Sequence, residues 1–241
     1  MKKLLIVAAA LAVAAGLRAE EPKSSYSVTA DFSYTTKYVF RGFKNADDAF
    51  QPSVTVASGN FSAGIWSSMA LTDKASAWAQ GREYDLFASY AIPLDKATLT
   101  FGGTAYLYPS ARPSLSEDDK TYELSASVAL PLGPLSGSAT YFHDLVLDSN
   151  TFEFGLGHSV AFEGGSFDVK GTYGFTDIED SNGDLPGTGG IDYRYWAVSA
   201  SLSYKLAESV TAKAGVTYTG VNKVSGAPKH FLGSVGLAVA F

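Results

Sequence analysis

Apolar and polar residues alternate with period two along most of this chain, which predicts an all-β fold: one antiparallel β-barrel, twelve strands long. Three observations carry that prediction. The alternating runs are long, about ten residues or more, whereas soluble strands average ~5–6. They are joined by tight Gly/Pro/Asn turns on one side and by longer, charged connections on the other. The last run, residues 229–241, puts Phe231, Val235, Leu237, Val239 and Phe241 on one parity and mostly small residues on the other.

The N-terminus supplies an address. Lys2 and Lys3 form a basic start, residues 4–17 an apolar stretch, and small residues around Ala19 a cleavage site, so residues 1–19 read as a signal peptide. Cleavage after Gly16 is the alternative. The apolar stretch falls short of the ~18–20 residues that a spanning helix needs. The barrel domain is then 20–241. Cleavage removes three of the 18 basic residues and none of the 24 acidic ones, leaving a formal charge of −9. Such an acidic exported chain is poorly suited to nucleic acid, whose binding rests on Lys and Arg. With no cysteine it has neither disulfides nor a thiolate metal site. No later segment is long and apolar enough for a membrane helix. In a membrane the chain must close as a barrel, since only helices and barrels satisfy every backbone group in lipid. That membrane is the bacterial outer membrane.

Taken in order, the first strand spans residues 26–40. Tyr26, Val28, Ala30, Phe32, Tyr34, Tyr38 and Phe40 share the apolar parity, broken by Thr36, and Val39 interrupts the polar one. After the connection 44–49, Phe50, Val54 and Val56 lead through Ser58-Gly59-Asn60 to Phe61, Ile65, Met69 and Leu71. The third pair is Tyr84 to Ile92 and Leu99 to Leu107, turning at Pro93. The fourth is Tyr122 to Leu130 and Leu135 to Tyr141, turning at Pro131-Leu132-Gly133-Pro134. Phe152 to Phe162 and Phe167 to Phe175 flank Glu163-Gly164-Gly165; Trp196 to Tyr204 and Val210 to Tyr218 flank a turn at Leu206–Ser209; the terminal strand follows.

An even strand number, long connections on one side and short turns on the other are the layout of bacterial outer-membrane barrels. Both termini then lie on the periplasmic side. Tyr26, Tyr38, Phe40, Tyr84, Tyr173, Phe175, Trp196, Tyr204, Tyr218 and Phe241 crowd the ends of the apolar faces, as interfacial girdles do. A soluble β-sandwich also alternates, but with shorter, more closely spaced strands.

The charges fall on the opposite parity and are expected to face the lumen. Candidate pore-lining acids are Asp31, Glu83, Asp85, Glu123, Glu153 and Asp168; candidate bases are Lys37, Arg41, Lys170 and Lys213. Facing lipid, a midplane Lys or Arg costs roughly 2–4 kcal/mol. Inside, opposite signs can pair across strands and stiffen the wall, or set up fields that select solutes. Twelve strands are intermediate between a barrel filled by side chains and a water-filled one. Trp66, Phe87, Tyr106, Tyr108 and Phe142 share the inner parity, which predicts a narrow or constricted lumen.

Chemistry beyond passage is weakly indicated. His143, His158 and His230 have no metal-ligand spacing, and no metal or cofactor is expected. His143 and His158 fall on the outer parity of neighbouring strands, the one arrangement that could serve a lipid hydrolase. The acidic stretch 177–184 lacks the glycine and terminal glutamate of a calcium loop and reads as a solvated turn at Asn182-Gly183.

The first 70 residues resemble a known family. Tyr38-Val39-Phe40-Arg41-Gly42, Gln51-Pro52-Ser53-Val54 and Gly64-Ile65-Trp66-Ser67-Ser68 are similar to the signature of the TorF-type porins, exported proteobacterial proteins long known only as conserved hypotheticals. The resemblance implies an outer-membrane barrel with a channel role and no established solute. Lys37 departs from the acidic residue usual before the Tyr, and Phe43-Lys44-Asn45 replaces a more polar segment. Read from the residues, Tyr38 and Phe40 are interfacial anchors and Gly42 lets the chain turn. Arg41 enters the mouth of the lumen, to stack on Trp66 or pair with Glu83 or Asp85.

The function expected is passive passage of small hydrophilic solutes or ions through a narrow, charged lumen. The alternative is a barrel without transport, serving as a surface structural or interaction protein. Its surroundings would be outer-membrane lipid and lipopolysaccharide. The terminal strand, ending at Phe241, is expected to be read by the barrel-assembly machinery and to pair with residues 26–40.

Overall fold

A computed structural model of the chain describes residues 26–72, 82–109, 120–178, 191–222 and 228–241. The expected signal peptide lies outside them, as does most of the acidic stretch 177–184. The described residues form strands and no helix. Before the barrel's second strand come β1 (Ser27–Thr35), β2 (Tyr38–Phe40) and β3 (Phe43–Ala46). The wall continues with β4 (Ala49–Ser58), β5 (Phe61–Ala70), β6 (Arg82–Pro93), β7 (Thr98–Leu107), β8 (Lys120–Leu132) and β9 (Leu135–Asp144). It finishes with β10 (Ser149–Phe162), β11 (Gly165–Ile178), β12 (Ile191–Ala207), β13 (Val210–Asn222) and β14 (His230–Ala240).

Twelve of these strands close into one antiparallel barrel in which each pairs with its sequence neighbours and β14 returns to β1. The seam runs from Thr29 opposite Ala240 to Thr35 opposite Ser234. Beyond the last ladder residue, the Phe241 amide donates to the Val28 carbonyl at 2.9 Å, so the terminal residue is tied into the wall. Closure removes the free edges that an open sheet would expose.

Alternation sorts the side chains as expected. Phe152, Leu156, Val160, Val198 and Phe231 are about half exposed on the outer face, an apolar wall that would be unfavourable in water. Val239 shares that face but is only 7% exposed, flanked by Ala30 and Val210 across the ladders. Aromatic rings collect at both rims. At the rim of the long connections Tyr173 meets Phe175 edge-on and Trp196 meets Tyr218 edge-on, each pair with centroids 5.1 Å apart. Phe61, Tyr90, Phe162, Tyr204 and Phe241 ring the rim of the short turns. Those turns are tight; at Gly133, φ is +67°, which costs glycine little and other residues more.

One element differs from the sequence expectation. Residues 26–40 are not a single strand. β1 stops at Thr35, and residues 38–46 form a separate two-stranded hairpin, β2–β3. The cause is local. Thr36 still bonds the wall, its amide donating to Gly233 O and its hydroxyl accepting from Gly233 N–H, both at 2.9 Å. The Thr35 hydroxyl, however, donates to the Lys37 carbonyl at 2.7 Å. Threonine hydroxyls that satisfy nearby backbone compete with ladder pairing and turn the chain. The breaks in alternation at Thr36 and Val39 mark this departure.

Candidate functional site

The hairpin folds into the barrel and reaches the far wall. Its turn is Phe40-Arg41-Gly42-Phe43, with Phe40 paired to Phe43 and two residues between them. Arg41 has φ 45° and Gly42 φ 86°. Two consecutive positive φ values characterise the type I′ turn, which matches strand twist and ordinarily takes Asn-Gly. Gly42 is needed twice over: a Cβ there would also lie 2.8 Å from Val221 Cγ2 and 3.2 Å from Tyr195 Cβ. The tip therefore touches β12 and β13, while the hairpin's base lies between β1 and β4. Arginine in the left-handed region is strained, by about 1–3 kcal/mol.

What holds Arg41 there is a salt bridge. Its two terminal nitrogens donate to the two carboxylate oxygens of Glu123 on β8, at 2.7 and 3.1 Å. The Glu123 side chain is buried, 5% exposed, and that of Arg41 is nearly so, at 11%. The guanidinium lies against two rings, 4.8 Å from the centroid of Phe40 and 4.6 Å from that of Phe142 on β9. Burial opposes the charge on Arg41, but the hydrogen bonds and the charge of Glu123 outweigh it and raise its pKa above the ordinary value. Tyr106 also donates to Glu123, at 3.1 Å.

The sides of the hairpin are seated by aromatic contacts. Tyr38 packs on Trp66 of β5 at 5.5 Å, Phe40 on Tyr106 of β7 at 6.0 Å, and Phe43 edge-on to Tyr193 of β12 at 4.8 Å. Burial, and then the nearby charge of Glu83, push the Tyr38 hydroxyl well above its usual pKa, so it stays protonated. Tyr38 and Phe40 are thus inside the lumen, and the expectation that they anchor the barrel at the lipid interface is corrected. Their parity reads differently once the chain leaves β1. Arg41 likewise neither stacks on Trp66 nor pairs with Glu83 or Asp85. Tyr38 occupies Trp66, and the tip projects past β5 and β6 to Glu123.

The remaining candidates are spread over the inner face. Glu83 and Asp85 lie on β6 near the rim of the long connections, with Glu83 Oε1 accepting from the Tyr108 hydroxyl at 3.3 Å. Glu153 on β10 accepts from the Tyr195 hydroxyl at 2.7 Å. Toward the other rim Lys213 meets Asp31 at 2.6 Å, and Asp168 accepts from Ser166 at 2.8 Å. Lys170 follows Asp168 on the inner parity of β11. Lys37, past the end of β1, donates to the Phe231 carbonyl at 3.0 Å. A cavity of about 370 Å³ adjoins the hairpin tip, bounded by Phe40, Arg41, Glu123, Phe142, Glu153 and Tyr195 among others.

Several site residues went unnoticed in the sequence. Tyr193 and Tyr195 are buried on the inner parity of β12, which starts at Ile191, five residues before the strand expected from Trp196. Asp144 accepts from Thr121 and from the amides of Val146 and Leu147, closing the connection between β9 and β10. Its position at a strand end was the available signal. His143 bonds Asn150 near one rim, whereas His158 bonds the Pro134 carbonyl near the other. Those two histidines do not come together.

The family model described as "Bacterial protein of unknown function (Gcw_chp)" matches residues 19–240. The chain belongs to this family. No curated protein matches it. Solved structures do match in fold. A KdgM porin in complex with disordered oligogalacturonate is similar at a TM-score of 0.57 and 11% identity, over 89% of this chain and 99% of that one. A NanC porin is similar at 0.53 and 14%, over 88% and 98%. At such identities the likeness is one of fold: a twelve-stranded barrel of the kind porins use.

Proposed function

We propose that this protein is an outer-membrane channel for small hydrophilic solutes or ions, narrowed by its own β2–β3 hairpin. The observation that carries this reading is the hairpin itself, folded across the lumen of a closed barrel and fastened by Arg41 to Glu123. A polar, charged interior inside an apolar wall supports the reading, as does the porin fold. So does the resemblance of residues 38–42 and 64–68 to TorF-type porins. The loop-side rim then faces outward, against lipopolysaccharide, and the short turns face the periplasm. Phe241, half exposed and bonded to Val28, is the residue offered to the barrel-assembly machinery.

The test is conductance of the refolded mature protein in a planar bilayer. Discrete single-channel steps, smaller than those of a wide porin, are expected. Their absence at every salt concentration would sink the channel reading. It would favour the second one, a barrel that the hairpin keeps shut and that acts through its surface.

A further inference from the structure

A belt of bases rims the outer wall just beyond its aromatic girdle. Arg82 opens β6 two residues before Tyr84, Lys120 opens β8 two before Tyr122, and Arg194 stands two before Trp196 on β12. Period two puts each base on the same outer face as its aromatic, about 7 Å farther toward the long connections. All three bases are exposed. None has a carboxylate within salt-bridge distance among the described residues.

On β12 the belt becomes a built site. Arg194 holds its guanidinium 5.7 Å from the ring centroid of Phe175, the residue opposite it in the ladder. Lys229, just ahead of β14, lays its stem over Gly220 on β13. A Cβ on that glycine would lie 3.1 Å from Lys229 Cγ and 3.5 Å from Trp196 Cζ2. Gly220 is opposite Trp196 in the ladder, so the missing side chain leaves room for the lysine beside the indole. Long basic side chains that run over rings keep the stem on apolar surface and carry the charge to the water edge. Arg194 and Lys229 thus flank Trp196, and Lys229, also exposed, has no carboxylate within salt-bridge distance among the described residues. A groove of about 280 Å³ opens beside Arg194, with Asn150, Phe152 and Phe175 in its lining.

We infer that Arg194 and Lys229 bind the phosphate groups of a phosphorylated glycolipid in the outer leaflet, whose acyl chains lie on the apolar wall below. The wall presents its layers in the order of such a lipid: apolar side chains, then the ring girdle, then bases. A guanidinium meets two phosphate oxygens at once and an ammonium meets one, so the pair can hold a headgroup in a fixed orientation. Asp177 and Asp192, which would repel phosphate, face each other a further ~7 Å out along the strands and have interactions of their own. The occupant is a lipid and not a free anion, because the surface around the bases is apolar: Phe152 and Phe175 in the groove, Val198 and Tyr218 below it. From the proposed function the inference takes only that the long connections face outward; conduction plays no part in it.

Titration of the full mature chain with bis-phosphorylated lipid A in a nonionic detergent, read by native mass spectrometry, tests it. The wild type is expected to retain the lipid, with affinity falling roughly thirtyfold in Arg194→Gln/Lys229→Gln. Lys96→Gln, in the short turn between β6 and β7 at the opposite rim, should bind as the wild type does. Lipid A stripped of both phosphates should bind the wild type and the double variant alike. Heat-modified gel mobility checks that each variant is a folded barrel. No retention by the folded wild type, full retention by the double variant, or an equal loss in Lys96→Gln would overturn the inference. So would inorganic pyrophosphate that displaces the lipid at equal concentration, which marks a site for free anions. A channel that conducts while the double variant keeps full lipid affinity fails this inference alone. A barrel that binds lipid A through these two residues but never conducts fails the channel reading alone.

Discussion

Arg41 and Glu123 are 82 positions apart, on a lumen hairpin and on β8, and meet through two hydrogen bonds of 2.7 and 3.1 Å. Such a bidentate pair fixes orientation as well as distance. It joins a strained turn residue to the opposite part of the wall, and it makes the hairpin a built part of the lumen.

Replacing one partner should expose that role. Arg41→Ala leaves Glu123 buried without its cation, a loss of roughly 3–5 kcal/mol by comparison with other buried pairs. Alanine keeps the Cβ that makes φ 45° unfavourable, so the substitution returns nothing through backbone strain. The expected result is a lower unfolding midpoint and a larger single-channel conductance. Unchanged conductance and selectivity would remove Arg41 from the constriction. Combining Arg41→Ala with Glu123→Gln should cost less than the two single losses added together.

The second ion pair is predicted to behave differently. Lys213 and Asp31 are 46% and 19% exposed, so solvent screens their attraction. Lys213→Ala should shift stability by less than about 1 kcal/mol, measured in the same unfolding assay.

Gly42 is the position where the hairpin is least able to change. A valine there meets both an unfavourable backbone region and the side chain of Val221. Gly42→Val should displace the tip from β13 and raise conductance as Arg41→Ala does. A variant with wild-type conductance would show that the tip does not narrow the path.

At the seam, removing Phe241 deletes the amide bonded to Val28 and the last aromatic of the turn-side rim. Slower assembly and less folded barrel in the membrane are expected. Normal insertion of the shortened chain would count against its part in assembly.

Much of this molecule is written in alternation. A period of two decides which face each residue takes once a strand is in place, so Val54, Leu86, Phe154 and Val198 declare the wall, and Asp31, Glu123 and Glu153 the lumen. Turn glycines such as Gly133 then set where strands end. These are local rules, and twelve strands closing between β1 and β14 followed from them. The hairpin was beyond their reach. Tyr38, Phe40 and Arg41 continue the parity of β1, and alternation contains no statement of where a strand stops pairing. That was settled by the Thr35 hydroxyl bonding the Lys37 carbonyl and by partners distant in sequence: Glu123, Phe142, Tyr193 and Val221. Which cation meets which carboxylate across a lumen depends on three-dimensional closure, and so only the folded barrel chose Glu123 for Arg41 and gave Glu83 the Tyr108 hydroxyl.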